Sequence, residues 1–324
     1  MIWFCFIAQI QFFPDQASKM ASQVDLLFLC LVGITGSVTL AIAAISLFFL
    51  AKYRRNAFVD RTPAKNTSLA VEVSWSVIPF AIFVVLFGWG AKIYLRESEE
   101  PPNAMEVHVI GKQWMWKLEH LQGKREINQL HVPVDRTIKL VMTSQDVIHS
   151  FFMPGFRIKE DVLPGRYTTQ WFTPTKTGTF PLFCSQYCGT NHALMIGRVI
   201  VLDPAAFAEW LRSGPETISV AQTGERLFRS FGCSGCHSPG ASVRTPLLQG
   251  VFGSQVPLQD GRIVRADERY IRDSILLPNT EIVAGYEPVM PSFQGRLSEE
   301  ELFALVTYIK SLRSNGQSST GTTH

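Results

Sequence analysis

The hydrophobic pattern changes character three times along this chain. From Leu26 to Leu50 nearly every position is apolar and none is charged, and a second such run extends from about Trp75 to Tyr94. A stretch of about 20 apolar residues matches the hydrocarbon thickness of a bilayer, so each run reads as a transmembrane helix rather than a buried core helix. Pro79 falls in the early turns of the second run, where lipid-embedded helices tolerate a kink. Lys52, Arg54, Arg55, Arg61 and Lys65 lie between the runs, and Glu97, Glu99 and Glu100 follow the second. Basic residues stay cytoplasmic, which places the loop inside and everything from about residue 97 onward outside. Residues 1–13 are apolar but too short to span, and lack the basic leader and small-residue cleavage site of a signal peptide.

From Met105 to Leu202 the pattern becomes short alternating runs, such as Glu106-Val-His-Val-Ile110 and Thr137-Ile-Lys-Leu-Val141, broken by Gly and Pro. This predicts an all-β domain, and a Greek-key sandwich of the cupredoxin kind fits it. Trp114 and Trp116, two apart, are expected on one face of a strand. His108, His120 and His131 are expected on strands or at the surface rather than at a metal. Pro204 to Val220 reads as a linker, with a short helix around Phe207–Leu211. Further on, Ser298 is placed to cap a last helix running to about Leu312. The expected layout is an N-terminal segment (1–24), a transmembrane hairpin (25–96), the β-domain (97–203), a linker (204–219), an all-α domain (220–313) and a polar, disordered tail (314–324).

Composition narrows the function. The chain has 324 residues, enough for about two domains, and 46% of them are hydrophobic, high for a soluble protein. A net charge of +3, with no basic run and no Gly-rich phosphate loop, gives no support to nucleic-acid or nucleotide binding. Of six cysteines, Cys5 and Cys30 lie in apolar stretches, whereas 184/188 and 233/236 form tight pairs with metal or cofactor spacing.

The first pair opens Cys184-Ser-Gln-Tyr-Cys188-Gly-Thr-Asn-His192-Ala-Leu-Met195. On a helix, Cys184, Cys188 and His192 would share a face. Pro181 and Gly189 argue instead for a loop, which can bend until two sulfurs, an imidazole and a thioether converge. Thiolate and thioether with imidazole select copper, whereas structural zinc takes four N/S ligands and no Met. A Cys184–Cys188 disulfide and a merely space-filling Met195 are the plainer alternatives. The second pair lies in Cys233-Ser-Gly-Cys236-His237, a haem-attachment motif in which the thiols bond the porphyrin and His237 ligates iron. Downstream, Met290 stands between Pro288 and Pro291, which stiffen its loop so that the sulfur can take the sixth position. His/Met ligation raises the iron potential and suits electron transfer.

The Cys184–Met195 loop resembles the binuclear copper (CuA) loop of cytochrome c oxidase subunit II. The resemblance implies that Cys184 and Cys188 bridge two coppers, that His192 and His149 each cap one, that Met195 ligates weakly, and that the Gln186 carbonyl completes the shell. His149 lies in Asp146-Val-Ile-His149-Ser-Phe-Phe-Met-Pro154, which matches the family's first-ligand motif. Where this chain has Gln186 the family usually has Glu, whose side chain helps hold magnesium at the contact with subunit I; the swap puts that ion in doubt. Asp161 matches another family position near that contact, and pairing with Lys159 or Arg166 would explain it equally. Trp114 resembles the family's electron inlet beside the copper. Glu72, in Val71-Glu-Val-Ser-Trp75, resembles the carboxylate at the mouth of a proton pathway into subunit I.

Residues 220–313 resemble a class I cytochrome c, through Gly224-Glu-Arg-Leu-Phe228, the haem motif, the Met290 loop and the last helix. The order of parts is similar to subunit II of the caa-type oxidases. That implies the following path: donor to haem c, then to the copper pair, then to haem in subunit I, where oxygen becomes water and protons are pumped. The hairpin holds no histidine, so the oxygen-reducing centre must belong to a partner. Implied partners are subunits I and III and a cytochrome c or quinol–cytochrome c reductase, at a bacterial plasma membrane with both metal domains outside. Rival readings are the copper subunit of a nitric-oxide reductase and a membrane-anchored shuttle without a catalytic partner.

Overall fold

The computed structural model describes residues 13–59, 68–213, 218–238, 241 and 243–312. Cys5, Arg61, Lys65, the first half of the N-terminal segment and the 314–324 tail lie outside them.

The chain divides into two compact units, residues 1–101 and 102–324. In the first, α1 (Ala21–Lys52) and α2 (Leu69–Ser98) are each longer than the apolar run that predicted them. At 1.5 Å per residue they extend about 48 and 45 Å, more than a ~30 Å hydrocarbon core requires. None of the apolar window of either helix is buried within the protein, the condition of a span that faces lipid. The end of α2 packs near the start of α1, at Gly90 and Leu27, as an antiparallel hairpin requires. Glu72 stands in the first turn of α2 and Pro79 inside it.

The second unit opens with a two-sheet sandwich. One five-stranded sheet has the order β3-β2-β1-β5-β8, from β1 (Met105–Lys112), β2 (Met115–His120), β3 (Arg125–Ile127), β5 (Ile138–Ser144) and β8 (Thr168–Phe172). The other has the order β4-β10-β9-β6-β7, from β4 (Gln129–Pro133), β6 (His149–Met153), β7 (Ile158–Val162), β9 (Gly178–Cys184) and β10 (Ile196–Leu202). β1 runs antiparallel to β2, its neighbour in sequence, and parallel to β5, which is distant in sequence. Alternation sends Val107, Val109, Leu140 and Met142 into the sandwich, where Trp116 is also fully buried. The two tryptophans do not share a strand face as expected. Trp114 lies in the turn between β1 and β2, whereas Trp116 is in β2.

The stretch expected as a linker begins as an ordered helix. Asp203 caps α3 (Pro204–Arg212) by accepting from the amides of Ala205 and Ala206. Phe207 is buried, and Trp210 stacks on His131 at 4.4 Å. Glu126 ties His131 and the fully buried His120 together, which accounts for both imidazoles structurally.

Beyond it come α4 (Val220–Ser230), the short α5 (Ser234–His237), a small hairpin of β11 (Gln255–Pro257) and β12 (Ile263–Arg265), α6 (Glu268–Leu276) and α7 (Glu299–Ser311). Capping boxes Ser219/Gln222 and Ser298/Glu301 start α4 and α7. These two helices cross so closely that a Cβ on Gly224 would lie 1.9 Å from the Ala304 carbonyl oxygen.

Candidate metal centre

Cys184 is the last residue of β9 and Met195 immediately precedes β10, so the two strands hold the ends of the sulfur-bearing loop. The loop carries no α-helix; one 3-10 turn covers His192–Leu194. The run is thus a loop, as expected, with Gly189 inside it, whereas Pro181 lies within β9 opposite Arg198 and marks no break. β6 begins at His149 and pairs beside β9, which brings that ring to the same place across 35 residues of sequence.

The donor atoms converge. Cys184 Sγ lies 3.7 Å from Cys188 Sγ, 4.0 Å from His149 Nδ1 and 3.2 Å from the Gln186 carbonyl oxygen. Cys188 Sγ lies 3.4 Å from His192 Nδ1 and 3.9 Å from Met195 Sδ. A disulfide would need about 2.05 Å between sulfurs. Two sulfurs sharing a tetrahedral metal at about 2.3 Å stand about 3.8 Å apart, close to the separation found. Cys184, Cys188, His149 and Met195 are buried, while Gln186 points outward. The donor chemistry therefore fits a thiophilic metal.

The two thiols ionise differently. Burial opposes both, but the His149 ring and backbone amides bring Cys184 below the ordinary thiol value. Burial and the neighbouring Cys184 charge push Cys188 up. A metal cation supplies the charge that lets both thiolates coexist.

His149 is oriented by groups that the sequence reading left without a role. Its Nε2 donates to Asp146 Oδ1 at 2.8 Å, turning Nδ1 toward Cys184. Asp146 also accepts from the Gln113 amide at 2.7 Å, and the Gln113 side chain donates to the Cys188 carbonyl at 2.8 Å. Trp114 Nε1 donates to the same carbonyl at 3.2 Å. The β1–β2 turn thus ties the histidine strand to the cysteine loop. Gly111 is part of this fit, since a Cβ there would come within 2.9 Å of the His149 ring. A glycine inside a strand was the available signal, as it marks a close approach.

In the helical domain a cavity of 440 Å3 is lined by Cys233, Cys236, His237 and Met290 together with apolar residues such as Phe228 and Phe293. Cys233 and Cys236 are free thiols. His237 Nδ1 donates to the Pro246 carbonyl at 3.3 Å, which leaves Nε2 as the nitrogen available to a ligand. Burial lowers this imidazole's proton affinity and favours the neutral form that binds a metal. The attachment motif and Met290, 53 residues apart from His237 to Met290, share one apolar chamber suited to a porphyrin. Glu72 lies exposed in the first unit, and Asp161 is exposed on β7 opposite Ser150.

Fold and sites together define a class: a membrane-anchored electron-transfer protein whose cupredoxin-like sandwich precedes a cytochrome c-like helical domain. Residues 120–203 match the family model described as cytochrome c oxidase subunit II, periplasmic domain, and residues 221–313 match that of cytochrome c. A cytochrome c oxidase subunit 2 of Alkalihalophilus pseudofirmus is 28% identical over 294 residues, covering 85% of this chain and 83% of that one. A probable cytochrome c oxidase subunit 2 of Rickettsia bellii is 30% identical over 239 residues, covering 65% and 87%. The crystal structure of the periplasmic domain of subunit II of cytochrome oxidase from Bradyrhizobium japonicum aligns with 35% of this chain and 94% of that one, at 32% identity and a TM-score of 0.34. The chain belongs to the cytochrome c oxidase subunit II family, in a form that carries a fused cytochrome c domain. It is a subunit of an oxidoreductase complex whose other members include subunit I.

Proposed function

We propose that this chain is the electron inlet of a caa-type oxidase, with a binuclear CuA centre and a covalent haem c. When bound, these groups supply one-electron relay from an external donor to the haem of subunit I, where oxygen is reduced to water with proton pumping. Cys184, Cys188, His149, His192, Met195 and the Gln186 carbonyl would together hold the coppers. Cys233 and Cys236 would bond the porphyrin, and His237 and Met290 would hold its iron. The observation that carries this reading is the convergence of two thiols, two imidazoles, a thioether and a carbonyl within 4.0 Å steps.

Other roles follow. Trp114, bonded to the Cys188 carbonyl, would pass electrons into the copper site from outside. Glu72, at the loop end of α2, would load protons for subunit I from the cytoplasmic side. Gln186 presents no carboxylate, so magnesium at the subunit I contact would need another ligand. Subunit III and a cytochrome c or quinol–cytochrome c reductase would be further partners. The hairpin (25–96) would anchor the CuA domain (97–203) and the cytochrome domain (220–313) on the outer face of a bacterial plasma membrane, with 204–219 joining the two domains.

Metal and haem analysis of the purified full-length chain tests this. Two coppers and one covalent haem per chain, with a valence-delocalised copper EPR signal, are expected. Preferential zinc binding, or one copper with an ordinary mononuclear signal, would overturn the assignment.

A further inference from the structure

The outer face of the β3-β2-β1-β5-β8 sheet departs from the polar surface that alternation predicts for an antiparallel sandwich. On β1 the outward residues are Glu106, His108 and Ile110, and on β5 they include Lys139 and Val141. Ile110 and Val141 are 4% and 1% exposed, and His108 is 3% exposed. What covers them is the helical domain. Ile110, Val141 and Tyr167 belong to the same buried apolar cluster as Phe303, Leu305 and Ile309 of α7.

Phe303 lies between two rings of the sandwich. It stacks on His108 at 4.2 Å and 15°, and on Tyr167 at 4.6 Å and 4°. Charged groups ring this contact. Lys310 reaches Glu106 and Glu268, each at 2.8 Å, and Lys139 reaches Glu268 at 3.2 Å. At the other end of α7, Lys117 and Gln145 each bond Glu300 at 2.8 Å. Arg272 of α6, only 3% exposed, donates to the Gly165 carbonyl at 2.6 Å and to Glu299 at 3.1 Å. An apolar centre ringed by paired charges is the anatomy of a specific interface. The described ends of the linker leave little slack, since Lys124 holds Ser213 and the Leu121 carbonyl accepts from Val220, both on the β2–β3 hairpin.

We infer that the helical domain is permanently seated on this sheet face through α7, as an obligate interface within the chain, and does not swing on its linker. The seat follows from these contacts alone; its consequence for electron transfer rests on the function proposed above. That consequence is geometric. Leu305 and Ile309 of α7 line the haem chamber, while Phe303 and Lys310 meet the sandwich. β1 then runs from His108 to Gly111, which abuts the His149 ring. One helix and one strand therefore separate the two sites at a constant distance.

A protease site inserted between Ser213 and Ile218 of the full-length chain in detergent tests the seat. A tether gives even a weak contact an effective concentration near millimolar, so cutting it exposes the contact's own affinity. After complete cleavage the C-terminal fragment, followed by its mass on a denaturing gel, should co-elute with the membrane-anchored part in gel filtration at micromolar protein. Its release would overturn the proposal. Lys117→Met with Lys310→Met should weaken the retained association by roughly tenfold or more. Phe303→Leu, which keeps an apolar side chain, should do likewise. Retention unchanged in both variants would overturn the assignment of these residues as the seat. Haem absorbance checks that each variant is folded. Copper and haem contents are measured on the same samples, so a seated fragment without metals would refute the proposed function and leave the seat standing.

Discussion

At the residue scale, the site depends on atoms held by neighbours that bind no metal. Asp146 fixes which nitrogen of His149 is free, and groups that orient metal-bound imidazoles usually govern affinity by 10- to 100-fold. Asp146→Ala should weaken copper binding by roughly that factor, read by chelator competition, with the fold unchanged by circular dichroism. A variant that holds copper as tightly as the parent would show that packing alone orients the ring. Met290 offers a second residue-scale test. Met290→Ala should open one face of the haem to carbon monoxide, seen as a shifted absorption band. An unaltered spectrum would remove Met290 from the ligand set. Cys184, Cys188, His192 and Met195 were legible because they crowd one segment. Asp146 and Gln113 were not, because their roles come from bonds to His149 and the Cys188 carbonyl that no spacing rule encodes.

At the scale of elements, helix ends were easy to read and helix crossings were not. Ser298 caps α7 as its sequence context suggests, in a box with Glu301. Losing such a cap costs about 1 kcal/mol. Gly224 belongs to the Gly224–Phe228 segment of the resemblance, but only the structure shows that α4 and α7 touch backbone to backbone there. Forcing a methyl into a packed contact costs about 1–3 kcal/mol and occasionally more. Thermal unfolding followed by haem absorbance should therefore show a larger drop for Gly224→Ala than for Ser298→Ala. The reverse order would mean that the helices separate without penalty. The helix that opens the linker was expected, but its packing was not, for a related reason. Phe207 and Trp210 are spaced as on any short amphipathic helix, and only the pocket over His131 and His120 makes that helix part of the sandwich.

At the scale of the whole molecule, charge at the seam couples stability to pH. Burial alone would raise the Glu106 carboxyl, but hydrogen bonding from His108 and the Lys310 charge hold it well below the usual carboxylate range. Glu268 is lowered against burial by Lys310 and Lys139. Both carboxyls titrate lower folded than unfolded, where the value is about 4.3. Their contribution is thus fully present above that pH and is lost as pH falls through the folded values. The urea midpoint of the full-length chain should fall on going from pH 7 to about 3.5, and Glu106→Gln should flatten this dependence. An unchanged slope in the variant would show that the seam carries no linkage through Glu106.

The sequence by itself determined the order of parts. Two long apolar runs and a stretch of period-two strands follow from how hydrophobic residues are spaced, which is local physics, while the last domain was placed by its motifs and their resemblance to a cytochrome c. It also pointed to the donor chemistry of both sites, because two Cys and a His within a few residues have few other uses. Only the tertiary structure decided how these pieces meet. That His149 arrives beside Cys184, that Trp114 and Trp116 part company at a turn, and that the face of β1 and β5 is covered rather than wet are outcomes of packing. They depend on shape and on charges brought together across the chain, and neither leaves a periodic trace in the order of residues.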